Sequence, residues 1–257
     1  MSTWALTVKN LLLPIFCKEC GLRLLTGENG YFCPTCWELS PRIQQPFCVL
    51  CGRPHAGRAG FVQPGPFRCA ACREKEEPPP YRRILGAAQY EGAVATSIKL
   101  LKFEEKRRLA TSLGELLRIQ AEQELDTEHY TDLVPVPLHK IRLRERGFNQ
   151  AALLTKEILP LFPNAELNES LIRIRPTRVQ SKLKSEAERK NNVIGAFAVE
   201  RGRDFKGRYV LLIDDVVTSG GTVSECAAAL KRAGAPHVDV LAVALPVASE
   251  LRTPALN

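Results

Sequence analysis

Eight of the nine cysteines fall between residues 17 and 72 as four C-x-x-C pairs: Cys17/Cys20, Cys33/Cys36, Cys48/Cys51 and Cys69/Cys72. A two-residue gap lets one tight turn aim both thiolates at one metal ion, and two such turns complete a tetrahedral zinc site. One pair alone would fit a redox motif as well; four in succession predict two structural zinc ions in a small double zinc-ribbon module. Gly21 and Gly52 each follow a pair directly and suit the backbone of a zinc knuckle. Consecutive pairing gives one site from Cys17, Cys20, Cys33 and Cys36 and another from Cys48, Cys51, Cys69 and Cys72; cross-braced pairing stays open at this point. His55 follows Cys51 closely, but eight cysteines already fill two sites, so it is expected at the surface.

The 257 residues are 45% hydrophobic and 25% charged, which excludes both a disordered and a fibrous chain and fits one full domain plus a smaller module. No apolar run approaches the ~18 to 20 residues that span a bilayer. The early run from Leu11 to Phe16 contains Pro14 and lacks a small-residue cleavage site, so it makes a poor signal peptide. No membrane insertion and a cytoplasmic location are therefore expected, and a reducing compartment keeps cysteines as thiols or metal ligands. The formal charge is +8. Each four-thiolate zinc site carries about −2, so the metal-loaded chain would hold about +4.

Glu74 to Pro80 reads EKEEPPP, which forms neither helix nor central strand and acts as a stiff spacer. We expect the zinc-ribbon module over residues 1–80 and a second domain over 81–257. From Tyr81 the pattern alternates. Strand-like ILGAAQYEG precedes a helix from about Val94 and another from Leu109 to Leu125. Strand DLVPVPL, a helix near Gln150 to Leu161 and strand LIRIR follow. The last third reads strand YVLLIDDVV, helix TVSECAAALKRAGA and strand HVDVLAVALP. Such alternation predicts an α/β fold, a parallel sheet with flanking helices on both faces. Cys226 shares a helical face with Val223, Ala227 and Leu230 and reads as a core thiol.

The segment VLLIDDVVTSGGT, Val210 to Thr222, carries the most chemistry. Four apolar residues make a buried strand, and Asp214 and Asp215 stand at its carboxyl end, where ligands of open α/β sheets bind. Thr218, Ser219, Gly220, Gly221 and Thr222 then form a small turn opening a helix, whose N–H groups and dipole cradle a phosphate. A carboxylate pair accepts hydrogen bonds only, which suits the vicinal hydroxyls of a ribose. Either half alone could be a solvated strand end or an N-cap; their adjacency points to a ribose phosphate. Neither G-x-x-x-x-G-K-[ST] nor a G-x-G-x-x-G after a strand occurs. A receiver domain would carry its acid pair near the start of the domain, which does not fit.

This segment closely resembles the phosphoribosyl pyrophosphate (PRPP) signature of type I phosphoribosyltransferases. VPVPLHKIRLRERGFNQ, Val134 to Gln150, resembles the pyrophosphate loop of the ComF family, competence-associated proteins with an N-terminal zinc ribbon. RIRPTRVQSKLKSEAERKNNVIGAF, Arg173 to Phe197, is similar to that family's active-site loop and to that of glutamine amidophosphoribosyltransferases. The resemblance implies a phosphoribosyltransferase fold and PRPP as ligand. It implies that Asp214 and Asp215 bind the ribose hydroxyls and that Thr218, Ser219, Gly220, Gly221 and Thr222 hold the 5′-phosphate. Val136, Pro137 and Lys140, with Arg146 nearby, would meet the pyrophosphate, whose counterion would be magnesium. Arg178, Gln180, Lys182 and Arg189 would belong to a catalytic closing loop. Transfer passes through an oxocarbenium-like state, so such a loop would neutralise the leaving pyrophosphate and exclude water. No segment identifies the acceptor.

Positive charge concentrates in three stretches: Lys99 to Arg108 at +3, Lys140 to Arg146 at +3 and Leu171 to Lys190 at +5. They could track single-stranded DNA, and the family resemblance adds the DNA-uptake machinery as a partner. Two of the stretches are those PRPP itself would need, and only Phe103, Phe148 and Phe197 border them. Three functions are therefore weighed: phosphoribosyl transfer to an unidentified acceptor, PRPP sensing, and a DNA-handling factor regulated through its PRPP site.

Overall fold

The computed structural model describes residues 14–24, 30–54, 67–176 and 192–246. Among them, the longest apolar sequences become the centre of a sheet. β8 (Tyr209–Val216) and β9 (His237–Leu245) are buried along nearly their whole length, as strands covered on both faces must be. With β3 (Ile84–Gln89), β4 (Asp132–Pro135) and β5 (Glu166–Leu167) they form a parallel sheet in the order β3-β9-β8-β4-β5.

Five helices flank this sheet: α3 (Gly92–Phe103), α4 (Leu109–Glu124), α5 (Lys140–Arg146), α6 (Gln150–Ile158) and α7 (Gly221–Arg232). The buried positions of α4 include Leu109, Leu113, Leu116, Leu117 and Gln120, the three-and-four spacing of an amphipathic helix. Cys226 is fully buried on α7, as its helical face predicts. The strand expected at LIRIR does not join the parallel sheet. β6 (Leu171–Arg173) pairs antiparallel with β7 (Phe197–Val199), and the two residues of β5 take the fifth position instead. Only Leu171 of β6 is buried, so the segment lacks the two apolar faces of a central strand.

The cysteine-rich segment contributes the hairpin β1 (Ile15–Phe16) and β2 (Arg23–Leu24) and the short helices α1 (Pro34–Glu38) and α2 (Ala70–Arg73). Between its two halves, the chain runs along the outer edge of β3. Ile43 N–H donates to Ala87 O, Gln89 N–H to Pro41 O, and Ile84 N–H to Leu50 O. The module thus covers an edge that would otherwise expose unpaired backbone groups. Ile43, Phe47, Cys48, Leu50 and Cys72 join the same hydrophobic core as the sheet.

Candidate functional site at the strand switch point

β8 continues through α7 to β9 on one side, whereas β4 continues through α5 and α6 to β5 on the other. The direction of winding therefore reverses between β4 and β8, and a crevice opens at their carboxyl ends. Both phosphate-type motifs lie there. Val136 N–H donates to Ile213 O, tying the start of the 136–140 loop beside the acid pair, and Asn149 Nδ2 holds the Val136 carbonyl at 3.1 Å. Lys140 is exposed at the start of α5, after Pro137. Gly220 caps α7 at φ +79°, a left-handed conformation that leaves the turn at Thr218, Ser219, Gly221 and Thr222 at the helix start.

The acid pair is buried, with Asp214 8% and Asp215 2% exposed. One oxygen of each is fixed by backbone: Asp215 N–H donates to Asp214 Oδ1 and Val216 N–H to Asp215 Oδ1. Asp215 Oδ2 is different. The Lys102 ammonium lies 2.5 Å away and forms an ion pair with it. Burial, together with the Asp215 charge, pushes the Asp214 carboxyl well above the usual range, and Lys102 offsets only part of that. Burial alone would lower the Lys102 pKa, but the carboxylates of Asp215 and Asp214 outweigh it and raise it. Lys102 is the site residue that motif reading missed. Its signal was its place in a basic stretch, and only the fold turns the last turn of α3 towards β8.

Two more arginines feel these carboxylates. Burial lowers the pKa of both Arg146 and Arg173, while Asp215 and Asp214 respectively counteract it. Arg146 also lies over the Phe103 ring at 5.8 Å, and Arg107 over Phe148 at 4.6 Å. These reciprocal contacts bring the 99–108 and 140–146 basic stretches together on one rim, with Phe103 75% exposed. Arg178, Gln180, Lys182 and Arg189 lie outside the described residues, as does His55.

The eight paired cysteines gather into two clusters, Cys17, Cys20, Cys33, Cys36 and Cys48, Cys51, Cys69, Cys72, with the sulfur atoms of each within 4.8 Å of one another. Consecutive pairing is therefore the one adopted, and no disulfide links these cysteines. Cys20 and Cys33 Sγ are 3.8 Å apart, and Cys51 and Cys69 Sγ 3.7 Å. A tetrahedron with zinc–sulfur bonds of ~2.3 Å has edges of about 3.8 Å, so the thiol geometry fits such an ion. Cys33 N–H donates to Cys17 Sγ and Cys69 N–H to Cys48 Sγ, stabilising thiolate at the same place in both clusters. The Cys48 thiol falls to about 4, chiefly through a hydrogen bond from Cys51, whose own pKa is driven up.

Residues 164–253 match the Phosphoribosyl transferase domain family. A hypoxanthine phosphoribosyltransferase from Staphylococcus aureus aligns over 58% of this chain and 68% of that one, at 13% identity and a TM-score of 0.34. Competence protein F of Haemophilus influenzae is 28% identical over 89% of this chain and 96% of its own length. Competence protein ComFC of Bacillus subtilis is 24% identical over 79% of this chain and 78% of its own. DNA utilization protein YhgH of Escherichia coli strain K12 reaches 32% identity over 90% of this chain and 96% of that protein. With that identity extending over nine-tenths of both proteins, the chain belongs to the ComF family.

Proposed function

We propose that the crevice binds PRPP with magnesium, and that the protein is a phosphoribosyltransferase whose acceptor is unidentified. The observation that carries this reading is the buried acid pair at the carboxyl end of β8, directly before the tight turn that opens α7. The vicinal ribose hydroxyls would donate to the two carboxyl groups. The turn at 218–222 takes the 5′-phosphate, and the 136–140 loop with Lys140 and Arg146 faces the pyrophosphate. Magnesium would supply charge neutralisation to that leaving group. Lys102 pairs with Asp215 and orients it until the diol arrives. In the same reading each cysteine cluster holds one structural zinc ion, and the protein works in the cytoplasm.

Calorimetry with magnesium-PRPP tests the site. The double variant Asp214→Asn, Asp215→Asn should bind at least tenfold more weakly, at ~1.5 to 3 kcal/mol per charge-assisted hydrogen bond, with little loss of thermal stability. Parent-like binding by that variant would remove the assignment.

A second reading is favoured by the rim where Phe103 stands exposed between Arg146 and a run of further cations. Aromatic rings among arginines and lysines form stacking platforms for single-stranded DNA, and the relatives named for competence and DNA utilization agree with that. DNA affinity that falls by ~0.7 log units per log unit of salt for each phosphate contacted, and that drops on Phe103→Ala, is the expected result. No binding at low salt rules this reading out.

A further inference from the structure

A cavity of about 190 Å³ lies between the second cysteine cluster and the turn that opens α7. Thr218, Ser219 and Gly220 form one wall, and Arg53, Lys75 and Tyr81 face them from the cysteine-rich segment and its spacer. Tyr81 is only 5% exposed. Its hydroxyl makes no hydrogen bond among the described residues, and it is the atom nearest to where a side chain on Gly220 would begin, at 3.6 Å. Burial favours the neutral phenol, so at neutral pH it remains a hydrogen-bond donor. Arg53 and Lys75 form no side-chain ion pair or hydrogen bond among the described residues. A tyrosine hydroxyl that opens to the cavity and two cations with no side-chain partner among the described residues thus line the space at a helix start.

We propose that this cavity completes the 5′-phosphate subsite, with Arg53, Lys75 and Tyr81 binding the phosphate dianion from the side opposite the turn. The inference rests on the PRPP reading and deepens it: the cysteine-rich module supplies part of the ligand site. The electrostatics explain why cations stand there. A four-thiolate zinc cluster carries about −2, and a phosphate monoester at neutral pH carries nearly as much. Charges of that sign a few ångströms apart repel strongly in a partly desolvated cavity. Arg53 and Lys75, which line the same cavity as Cys51, Cys69 and Cys72, would offset that repulsion. The donors also fit a terminal phosphate, which offers three strong acceptor oxygens to a guanidinium, an ammonium, a phenol and the N–H groups of the turn.

The experiment uses the full, zinc-loaded chain and calorimetry with three probes: magnesium-PRPP, ribose 5-phosphate and pyrophosphate alone. The double variant Arg53→Ala, Lys75→Ala should bind PRPP and ribose 5-phosphate about tenfold or more weakly, with pyrophosphate affinity and zinc content unchanged. Tyr81→Phe, which removes one oxygen and keeps the packing, should lose about threefold to tenfold on the same two probes. Affinities within twofold of the parent in both variants overturn the proposal. So does loss of zinc with phosphate affinity retained, since the cations would then only balance the thiolates. If those variants bind normally while the Asp214→Asn, Asp215→Asn variant does not, the PRPP reading stands and this subsite falls. If the parent binds neither PRPP nor ribose 5-phosphate, both fall together.

Discussion

The two cysteine clusters are built alike and placed differently. In each, the residue after the first C-x-x-C pair is a left-handed glycine whose N–H bonds back to the first cysteine: Gly21 to Cys17 O at 2.9 Å, Gly52 to Cys48 O at 2.8 Å. In each, the third cysteine precedes a short helix. The first cluster, however, packs in a small satellite core with Leu24, Phe32, Ala93, Leu100 and Leu109, and its Cys20 is exposed. The second belongs to the main core, is hydrogen-bonded to β3 through Leu50, and walls the cavity beside the turn at Thr218, Ser219 and Gly220. One ligand set therefore serves two purposes. The first cluster clamps a surface hairpin onto helices, and the second forms part of the sheet's edge and of the candidate site.

The largest expected difference comes from removing a metal ligand. Cys48→Ser should lower the melting temperature of the whole fold by about 10 °C or more, at ~2 to 4 °C per kcal/mol for a chain of this size. Cys17→Ser should instead release about one zinc ion per chain while the main transition stays within about 2 °C. Calorimetric melts with elemental analysis read both. Equal losses in the two variants would mean that the clusters support the sheet equally, and the contrast would collapse.

Next in size is Gly52→Ala. A Cβ there would lie 2.6 Å from Ile84 O and 3.0 Å from Leu245 Cδ1, and the backbone sits at φ +71°. Strain from the left-handed conformation and displacement of the β3 edge add to about 2 to 4 kcal/mol. Because Ile84 and Leu245 also line the cavity behind Thr218, Ser219 and Gly220, PRPP affinity should fall with stability. An urea melt and a PRPP titration on the same variant check the coupling; stability lost with affinity intact would detach the cluster from the site.

Much of this was legible in the sequence, for reasons that the structure makes plain. Local signals carry local facts. The C-x-x-C gaps predict two cysteine clusters, the unbroken apolar runs of β8 and β9 predict buried parallel strands, and the acid pair followed by TSGGT predicts a strand end and a tight turn that opens a helix. What escaped is what tertiary pairing alone decides. Nothing near Lys102 shows that it meets Asp215, since the contact joins the end of α3 to the end of β8. Nothing in residues 41–50 shows that they pair with β3, because polar and apolar residues alternate there too weakly to announce a partner. A proline-rich spacer shows that the chain between two units is neither helix nor central strand. It does not show whether those units touch, and here Tyr81, just after that spacer, packs against the turn at Gly220.

The smallest effect is the most exacting control. Gly21 has φ +73°, nearly the value at Gly52, and makes the equivalent backbone hydrogen bond, yet a Cβ there would meet nothing within 4 Å. Gly21→Ala therefore isolates the strain of the left-handed conformation, ~1 to 2 kcal/mol, from any clash. Its cost should fall on the first cluster alone, seen as easier zinc release to a chelator, while the main melting transition and PRPP affinity stay at the parent values. The difference between the two alanine variants then measures what contact with β3 adds to a knuckle of otherwise the same geometry. If Gly21→Ala disturbs the sheet as much as Gly52→Ala does, backbone strain rather than packing governs both knuckles, and the second cluster holds no special place beside the phosphate turn.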